Sequence, residues 1–571
     1  MLEAARLPRA VVKRSADPLI QWGVGLLTLL LVLFPLAPIL LQSVLAQPLY
    51  EAERTFTLGN FVRILSSPEF HRVLVVSITM AVATTAGAVL LGTLLAVFIM
   101  RTNMPLRGPV GALVMSPLYI SPLVLAFAWV TMFGPQGYVT IYARLATGGD
   151  PWNLYSVAGI VVVSIFYYVP YAYLNATASL SLSDPTVEDA ARVAGAGPLR
   201  TLATVTVPLL RPAVVYSGLL VGIASLELLS IPLILGTPSG INTLSTLLVK
   251  LGITGGQPDH GGVAAVATLL MLTMTLLIVL QERLIGAGQR FVTVRGKAVA
   301  QRPFDIGPLR YVALGLCLLY ILLGVIVPVS GILLRSVVGF LSPLANPLHS
   351  LTLEHYQLIF EHASYRRSIT NSLLIAGIGG GVGILFMSLV ALVAFRSELG
   401  WRRMLRFISL YPRAIPGLIV GIGFLWSFVL IRPLGGLRNT VFALAAAFIM
   451  RYIPYGFSII SPTLTRISGE LDNAARVCGE NWTGTMRRVL LPLLRPAILT
   501  GWILLFITFL KEYSSALFLF ARGSEVMGTT MLELWRQGDM GPVSALATLQ
   551  VAMILLVIVG ARYLFGVRFY G

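Results

Sequence analysis

The sequence predicts an all-α integral membrane protein of about twelve transmembrane helices, built as two tandem copies of one six-helix unit. Three observations predict it. Of 571 residues, 57% are hydrophobic and only 11% charged, against about 25% charged in soluble domains, so lipid must solvate most of the chain. Apolar runs close to the roughly 20 residues that cross a bilayer recur along its length. One polar stretch, DPTVEDAARVAGAGPLRTLATVTVPLLRPA at 184–213, returns without a gap as SGELDNAARVCGENWTGTMRRVLLPLLRPA at 468–497. Ala190 pairs with Ala474, Gly195 with Gly479, Pro208 with Pro492, and Arg211-Pro212 with Arg495-Pro496, all at one constant offset.

In chain order, the first copy carries spans near 21–46, 71–100, 109–133, 153–181, 213–236 and 262–284. The second carries them near 310–336, 368–396, 404–431, 438–462, 496–520 and 542–566. The first half is therefore 1–285 and the second 310–571, joined by a polar, basic linker at 286–309. The opening run Gly23–Ala46 ends in Val44-Leu45-Ala46, which resembles a signal-peptidase site. It is longer than the roughly 7–15 apolar residues of a signal peptide, and the same architecture recurs at Tyr311–Leu334, so it reads as a retained helix. The copies match elsewhere too. Tyr168-Val169-Pro170-Tyr171 echoes Tyr452-Ile453-Pro454-Tyr455 at the same offset, while Thr57-Leu58 and Arg101 echo Thr352-Leu353 and Arg396 at a longer one. The first copy thus holds extra residues, mostly near 134–150. Two parallel copies with an even number of spans is a transporter-like repeat.

Charge fixes the orientation. Alternate loops hold Arg101 and Arg107; Arg192, Arg200 and Arg211; Arg290, Arg295, Lys297 and Arg302; Arg396, Arg402, Arg403 and Arg406; Arg476, Arg487, Arg488 and Arg495. The positive-inside rule puts these loops, and both termini, in the cytoplasm. The net charge of +18 is therefore assigned to membrane lipid, whose anionic headgroups it faces, and not to nucleic acid. Neither GxxxxGKS/T nor HExxH nor a CxxC pair occurs, so any use of ATP needs a site on another subunit. Cys317, in an apolar span, and Cys478, in the second polar stretch, build no disulfide framework. His71, His260, His349, His355 and His362 all fall at or in segments expected outside, without a useful i, i+4 pair. They read as loop residues, with no metal site expected.

The repeated stretch reads physically as a helix–turn–helix outside the bilayer. Asp184 before Pro185 is a helix N-cap with proline at the first position, and Ser468 is expected to cap the second copy. Glu188 and Asp189 lie in the first turns, where acidic groups favour the helix dipole. Ala190-Ala191 and Ala474-Ala475 give a small-residue patch on which another protein can sit closely. Gly195 and Gly479 end the helix and let the chain reverse.

Asp189-Ala190-Ala191-x-x-x-Gly195 followed by Val207-Pro208, and Asn473-Ala474-Ala475-x-x-x-Gly479 followed by Leu491-Pro492, resemble the EAA loop of ABC-importer permeases. The resemblance covers roughly 70–285 and 365–570. It implies two tandem type I importer domains in a bacterial inner membrane, with each loop forming a coupling helix that docks in an ATPase subunit. Glu188, Asp189, Ala190, Ala191 and Gly195, with Asp472, Asn473, Ala474, Ala475 and Gly479, are the implied coupling residues. The implied partners are two ATP-binding cassette subunits, which would carry ATP and Mg, and an extracytoplasmic substrate-binding protein. The family's glutamate is Asp189 in one copy and Asn473 in the other, so the two docking contacts need not be equal. The fused length, with KEYSSALFLF and GSEVMGTTMLELW in the last third, looks most like iron(III) transport permeases; thiamine, polyamine and aminoalkylphosphonate systems are the alternatives.

Glu227 lies about fourteen residues into the fifth expected span, which at 1.5 Å per residue is about 21 Å deep. Glu512 holds the matching place, with Lys511 beside it. A carboxylate at that depth costs several kcal/mol unless paired or hydrated, which makes both candidates for the translocation path. A helix-packing hydrogen bond or a Glu–Lys pair is the alternative. Ser230 and Ser515 are expected to pack between helices. A secondary transporter driven by an ion gradient would share the repeat but would need no partner loop. A membrane scaffold without transport would leave the paired carboxylates unexplained.

Overall fold

Inside a bilayer the backbone must satisfy its own hydrogen bonds, and in the computed structural model the membrane spans among the described residues are helical. The structure describes residues 17–288, 303–340 and 346–565. Arg290, Arg295, Lys297 and Arg302, most of the 286–309 linker and the first sixteen residues lie outside the described residues. Ten helices are long and apolar enough to cross a membrane, and two further helix pairs, each bent at a short break, bring the count to twelve.

The first span is Asp17–Ser43, the second Pro68–Arg101, the fourth Val157–Leu182 and the sixth His260–Leu284. In the second copy the seventh is Leu309–Ser336, the eighth Ala363–Arg396, the tenth Val441–Arg466, the eleventh Trp482–Lys511 and the twelfth Met540–Tyr563. Each copy packs its second, fourth and fifth helices, or their counterparts, into a core of three.

The third and fifth helices of each copy depart from the expected straight spans. The run at 109–133 is divided into Arg107–Val114, a short turn at Ser116–Tyr119, and Pro122–Phe133. Its counterpart at 404–431 bends by 108° between Arg402–Ala414 and Gly417–Leu430. Proline is the cause: Ser121 before Pro122 and Ile415 before Pro416 are both extended, as the residue preceding proline prefers. The Arg402–Leu410 leg buries Leu405, Ile408 and Ser409 and exposes Arg402 and Arg403, the pattern of a helix lying on a membrane surface. The fifth helix, expected to 236, stops at Glu227, and the eleventh, expected to 520, stops at Lys511. Tyr138–Thr147, within the extra residues of the first copy, forms a helix.

The leading span of each copy crosses to the other. The first span packs on the eighth, ninth and tenth besides its own copy's sixth, and the seventh packs on the second, third and fourth besides its own copy's twelfth. Glycines permit the close approach. A Cβ on Gly25 would lie 2.1 Å from the Trp401 ring, and one on Gly423 would lie 2.1 Å from the Pro35 carbonyl oxygen. The chain ahead of each crossing span is also held by the opposite copy or beside its loop. Asp17 accepts hydrogen bonds from Trp482 N at 2.9 Å and Thr483 N at 3.1 Å. Phe304 pairs with Arg101 and Asn103 through backbone hydrogen bonds of 2.8 and 2.9 Å.

Gly423→Leu should destabilise the chain by about 1–3 kcal/mol, the usual cost of overpacking, because the obstructing atom is backbone. Gly108→Leu, with no atom within 4 Å of its Cβ position, should not. Thermal unfolding in detergent checks the pair; equal midpoints would refute the crossing contact.

Candidate functional site

The two polar stretches fold on one plan. Asp184 caps Pro185–Val193 by accepting from Thr186 N at 2.9 Å, and those Thr186 hydrogen bonds hold its carboxyl below the usual range. In the second copy the cap position of Glu470–Val477 falls on Gly469 instead of Ser468, whose hydroxyl accepts from Glu470 N at 3.2 Å. Both helices end in a left-handed glycine, Gly195 at φ 85° and Gly479 at φ 86°. Ala196 N bonds to Ala191 O and Glu480 N to Ala475 O, each at 3.0 Å, which closes the six-to-one turn of a Schellman motif. Nothing lies within 4 Å of either glycine's Cβ position, so the glycine requirement is conformational, not steric.

Within each loop the acidic residues divide. Asp189, Ala190, Asn473 and Ala474 are exposed, with Ala191 and Ala475 half-buried. Glu188 and Asp472 face inward. Glu188 is buried against Arg101 Nε at 3.1 Å and accepts from Thr206 Oγ1 at 2.8 Å. Arg101, the last residue of the second span, also reaches Leu180 O and Ser183 Oγ. Asp472 meets Arg396, the last residue of the eighth span, at 3.1 Å, and Arg396 bonds Leu464 O and Ile467 O. These two carboxylates therefore tie the loop to a membrane helix. What the loop turns outward is apolar: Val193 and its counterpart Val477 are 90% and 88% exposed. The Asp189/Asn473 difference is compensated. Arg192 pairs with Asp189 at 3.6 Å, and Arg476 with Glu398 at 2.9 Å.

The two deep glutamates stand where the fifth and eleventh helices end, and they meet on one arginine. Arg451 Nη2 lies 3.1 Å from Glu227 Oε1, and its Nε lies 3.4 Å from Glu512 Oε2. Glu512 is also the cap of its own helix end. It accepts from Ser514 Oγ at 2.5 Å, from Ser515 N at 3.0 Å, and from the Tyr452 hydroxyl. Tyr168, the counterpart of Tyr452, donates to Ala224 O at 2.7 Å in the last turn before Glu227. Lys511 does not pair with Glu512; its Nζ donates to Leu118 O at 2.7 Å, in the turn that breaks the third helix. A Cβ on Gly417 would lie 2.3 Å from Arg451 Nη1, so the ninth span also starts against this cluster. Ser515 joins the cluster, whereas Ser230 is buried beside the Tyr513 hydroxyl. Sequence reasoning passed over Arg451. The available signal was a lone arginine inside AAAFIMRYIPY, where the other copy has Tyr167.

No three histidine, cysteine or acidic side chains converge among the described residues. His260 packs edge-on against Tyr50 and Trp426.

A multi-pass helical protein with two identically built exposed loops and a charged seam between its copies has the make-up of a membrane transport subunit. Residues 88–290 and 368–566, one segment in each copy, match the binding-protein-dependent transport system inner membrane component family. The chain belongs to that family, and is a permease of the ABC-importer type. It is 25% identical over 456 residues to the ferric transport system permease protein FbpB of Actinobacillus pleuropneumoniae, covering 79% of this chain and 65% of that one. It is 23% identical over 483 residues to the Fe(3+)-transport system permease protein FbpB 2 of Haemophilus influenzae, covering 83% and 86%. A protein named for 2-aminoethylphosphonate transport, PhnU of Salmonella typhimurium, is 26% identical over 257 residues, covering 44% of this chain and 88% of its own.

Arg451→Gln should strand two carboxylates without their counter-charge, and breaking a buried pair in this way costs about 3–5 kcal/mol. Adding Glu227→Gln and Glu512→Gln should recover much of that loss. A mutant cycle on detergent unfolding midpoints checks it; strict additivity would sink the bridge.

Proposed function

We propose that this chain forms the membrane pathway of an ATP-driven importer, carrying iron(III) handed over by an extracytoplasmic binding protein. The observation that carries the reading is the pair of loops: two exposed helices of the same build, each closed by a left-handed glycine and each tied by a carboxylate to the end of a membrane helix. Two separate ATPase subunits dock there, one per loop, and supply ATP and Mg; the chain itself binds no cofactor. The loops and both termini are cytoplasmic by the positive-inside rule.

Closure of the ATPases moves the loops at 184–213 and 468–497. Arg101–Glu188 and Arg396–Asp472 pass that displacement to the second and eighth spans. The fourth and fifth helices and their counterparts flank the loops and run to Glu227 and Glu512, which line the path. Alternating access then requires the Arg451 bridge between the halves to open. Iron is favoured by similarity to the ferric permeases over most of the chain. Similarity to PhnU supports an aminoalkylphosphonate as the second reading.

Gly195→Val with Gly479→Val forces a β-branched residue into left-handed backbone, at roughly 1–2 kcal/mol or more per site. In proteoliposomes holding permease, ATPases and receptor, ATP-driven uptake should fall to background while insertion stays at the wild-type level. Wild-type uptake in that variant would remove the coupling assignment. Labelled iron(III) and 2-aminoethylphosphonate, offered to the same vesicles, separate the two cargo readings.

A further inference from the structure

The eighth and eleventh spans enclose a groove of about 480 Å³ between them. On the eleventh, Arg487, Leu491, Arg495 and Trp502 recur at helical spacing along one face; on the eighth, Gly381 and Leu385 complete the walls. The two arginines stand together at the loop-bearing end. Both are exposed, and neither forms an ion pair among the described residues, whereas the adjacent Arg488 is matched by Glu480. Trp502 floors the other end, pinned by its Nε1 donating to Gly377 O at 2.9 Å. Gly381 faces the indole, where a Cβ would stand at an ordinary contact distance of 3.5 Å from Nε1.

The groove opens towards lipid. Leu374, Ile378, Val382 and Leu385 form an exposed apolar stripe along the eighth span beside it, with Ile378 at 65%. Fifteen helical residues separate Arg487 from Trp502, about 22 Å, which suits a headgroup plus one leaflet of a hydrocarbon core roughly 30 Å thick. The first copy has no such groove chemistry: Ala203 stands at the Arg487 position and Gly218 at the Trp502 position, with only Arg211 retained.

We propose that this groove is a binding site for one anionic phospholipid, its phosphate held by Arg487 and Arg495 and an acyl chain laid along Leu491 to Trp502. Charge complementarity selects the occupant. Two unpaired guanidinium groups at the membrane surface favour an anionic headgroup over a zwitterionic one, and each presents the fork that phosphate accepts. Arg487 belongs to the second polar loop, so the bound headgroup touches that loop alone and gives the two halves different membrane contacts.

The test is native mass spectrometry of the full-length chain, stripped of lipid and titrated with phosphatidylglycerol or phosphatidylcholine. The wild type should retain phosphatidylglycerol preferentially. Arg487→Gln with Arg495→Gln should weaken that preference by roughly tenfold, and Arg488→Gln should leave it intact. Leu385→Trp, which fills the groove and keeps both charges, should release the lipid as well. Equal retention of the two lipids by the wild type, or undiminished preference in both the charge and the filling variants, overturns the site. If glycerol phosphate alone displaces the bound lipid from the wild type, the tail contact is refuted.

Discussion

The fold turns on a guanidinium buried between two carboxylates. Charged groups in a bilayer interior are tolerated only when paired or hydrated, and Arg451 serves Glu227 from the first copy and Glu512 from the second. Several backbone features converge on that pairing. Two helices end at it, a third is broken beside it with its Leu118 carbonyl taken up by Lys511, and Gly417 must lack a side chain for the ninth span to begin there. Irregular backbone inside a membrane protein needs partners for its freed polar groups. Here the glutamate, serine and lysine side chains provide them.

The same economy of charge governs the loops. Each long helix of the second and eighth spans ends in an arginine that collects free carbonyls and one acid from the following loop. Glutamate does this in the first copy and the shorter aspartate in the second, where Arg396 adds two backbone carbonyls. The helix is thereby fixed to the body of the protein from its inner face. Its outer face carries small and apolar residues beside the exposed Asp189–Arg192 pair in the first copy and the Arg476–Glu398 pair in the second.

The crossing spans make the copies interdependent. Because the first span packs on the second copy as well as on its own sixth helix, and the seventh on the first copy as well as on the twelfth, the packing of each six-helix segment extends into the other. Asp17 capping the helix at Trp482, and Phe304 paired beside Arg101 with Arg192 5.6 Å from its ring centroid, place the ends of both crossing spans next to the polar loops. The polar loops are therefore in contact with the leading spans as well as with the core helices.

Composition and repetition by themselves determined the membrane class, the duplication, the helical character of the spans and the turn at Gly195 and Gly479. These properties are local: they follow from apolar run length and from a glycine at a helix end. The candidate residues of the loops were legible for the same reason, as were Glu227 and Glu512, since a lone acid in an apolar run is conspicuous. The tertiary structure alone decided what those acids do. That Glu188 and Asp472 point inward depends on where Arg101 and Arg396 arrive from helices 87 and 76 residues earlier in chain order. That Glu512 pairs with Arg451 and not with its neighbour Lys511 depends on three helices meeting, and adjacent residues at a helix end point to different sides. The crossing of the leading spans was likewise invisible, because an apolar stripe states that a surface is buried without naming the helix that buries it.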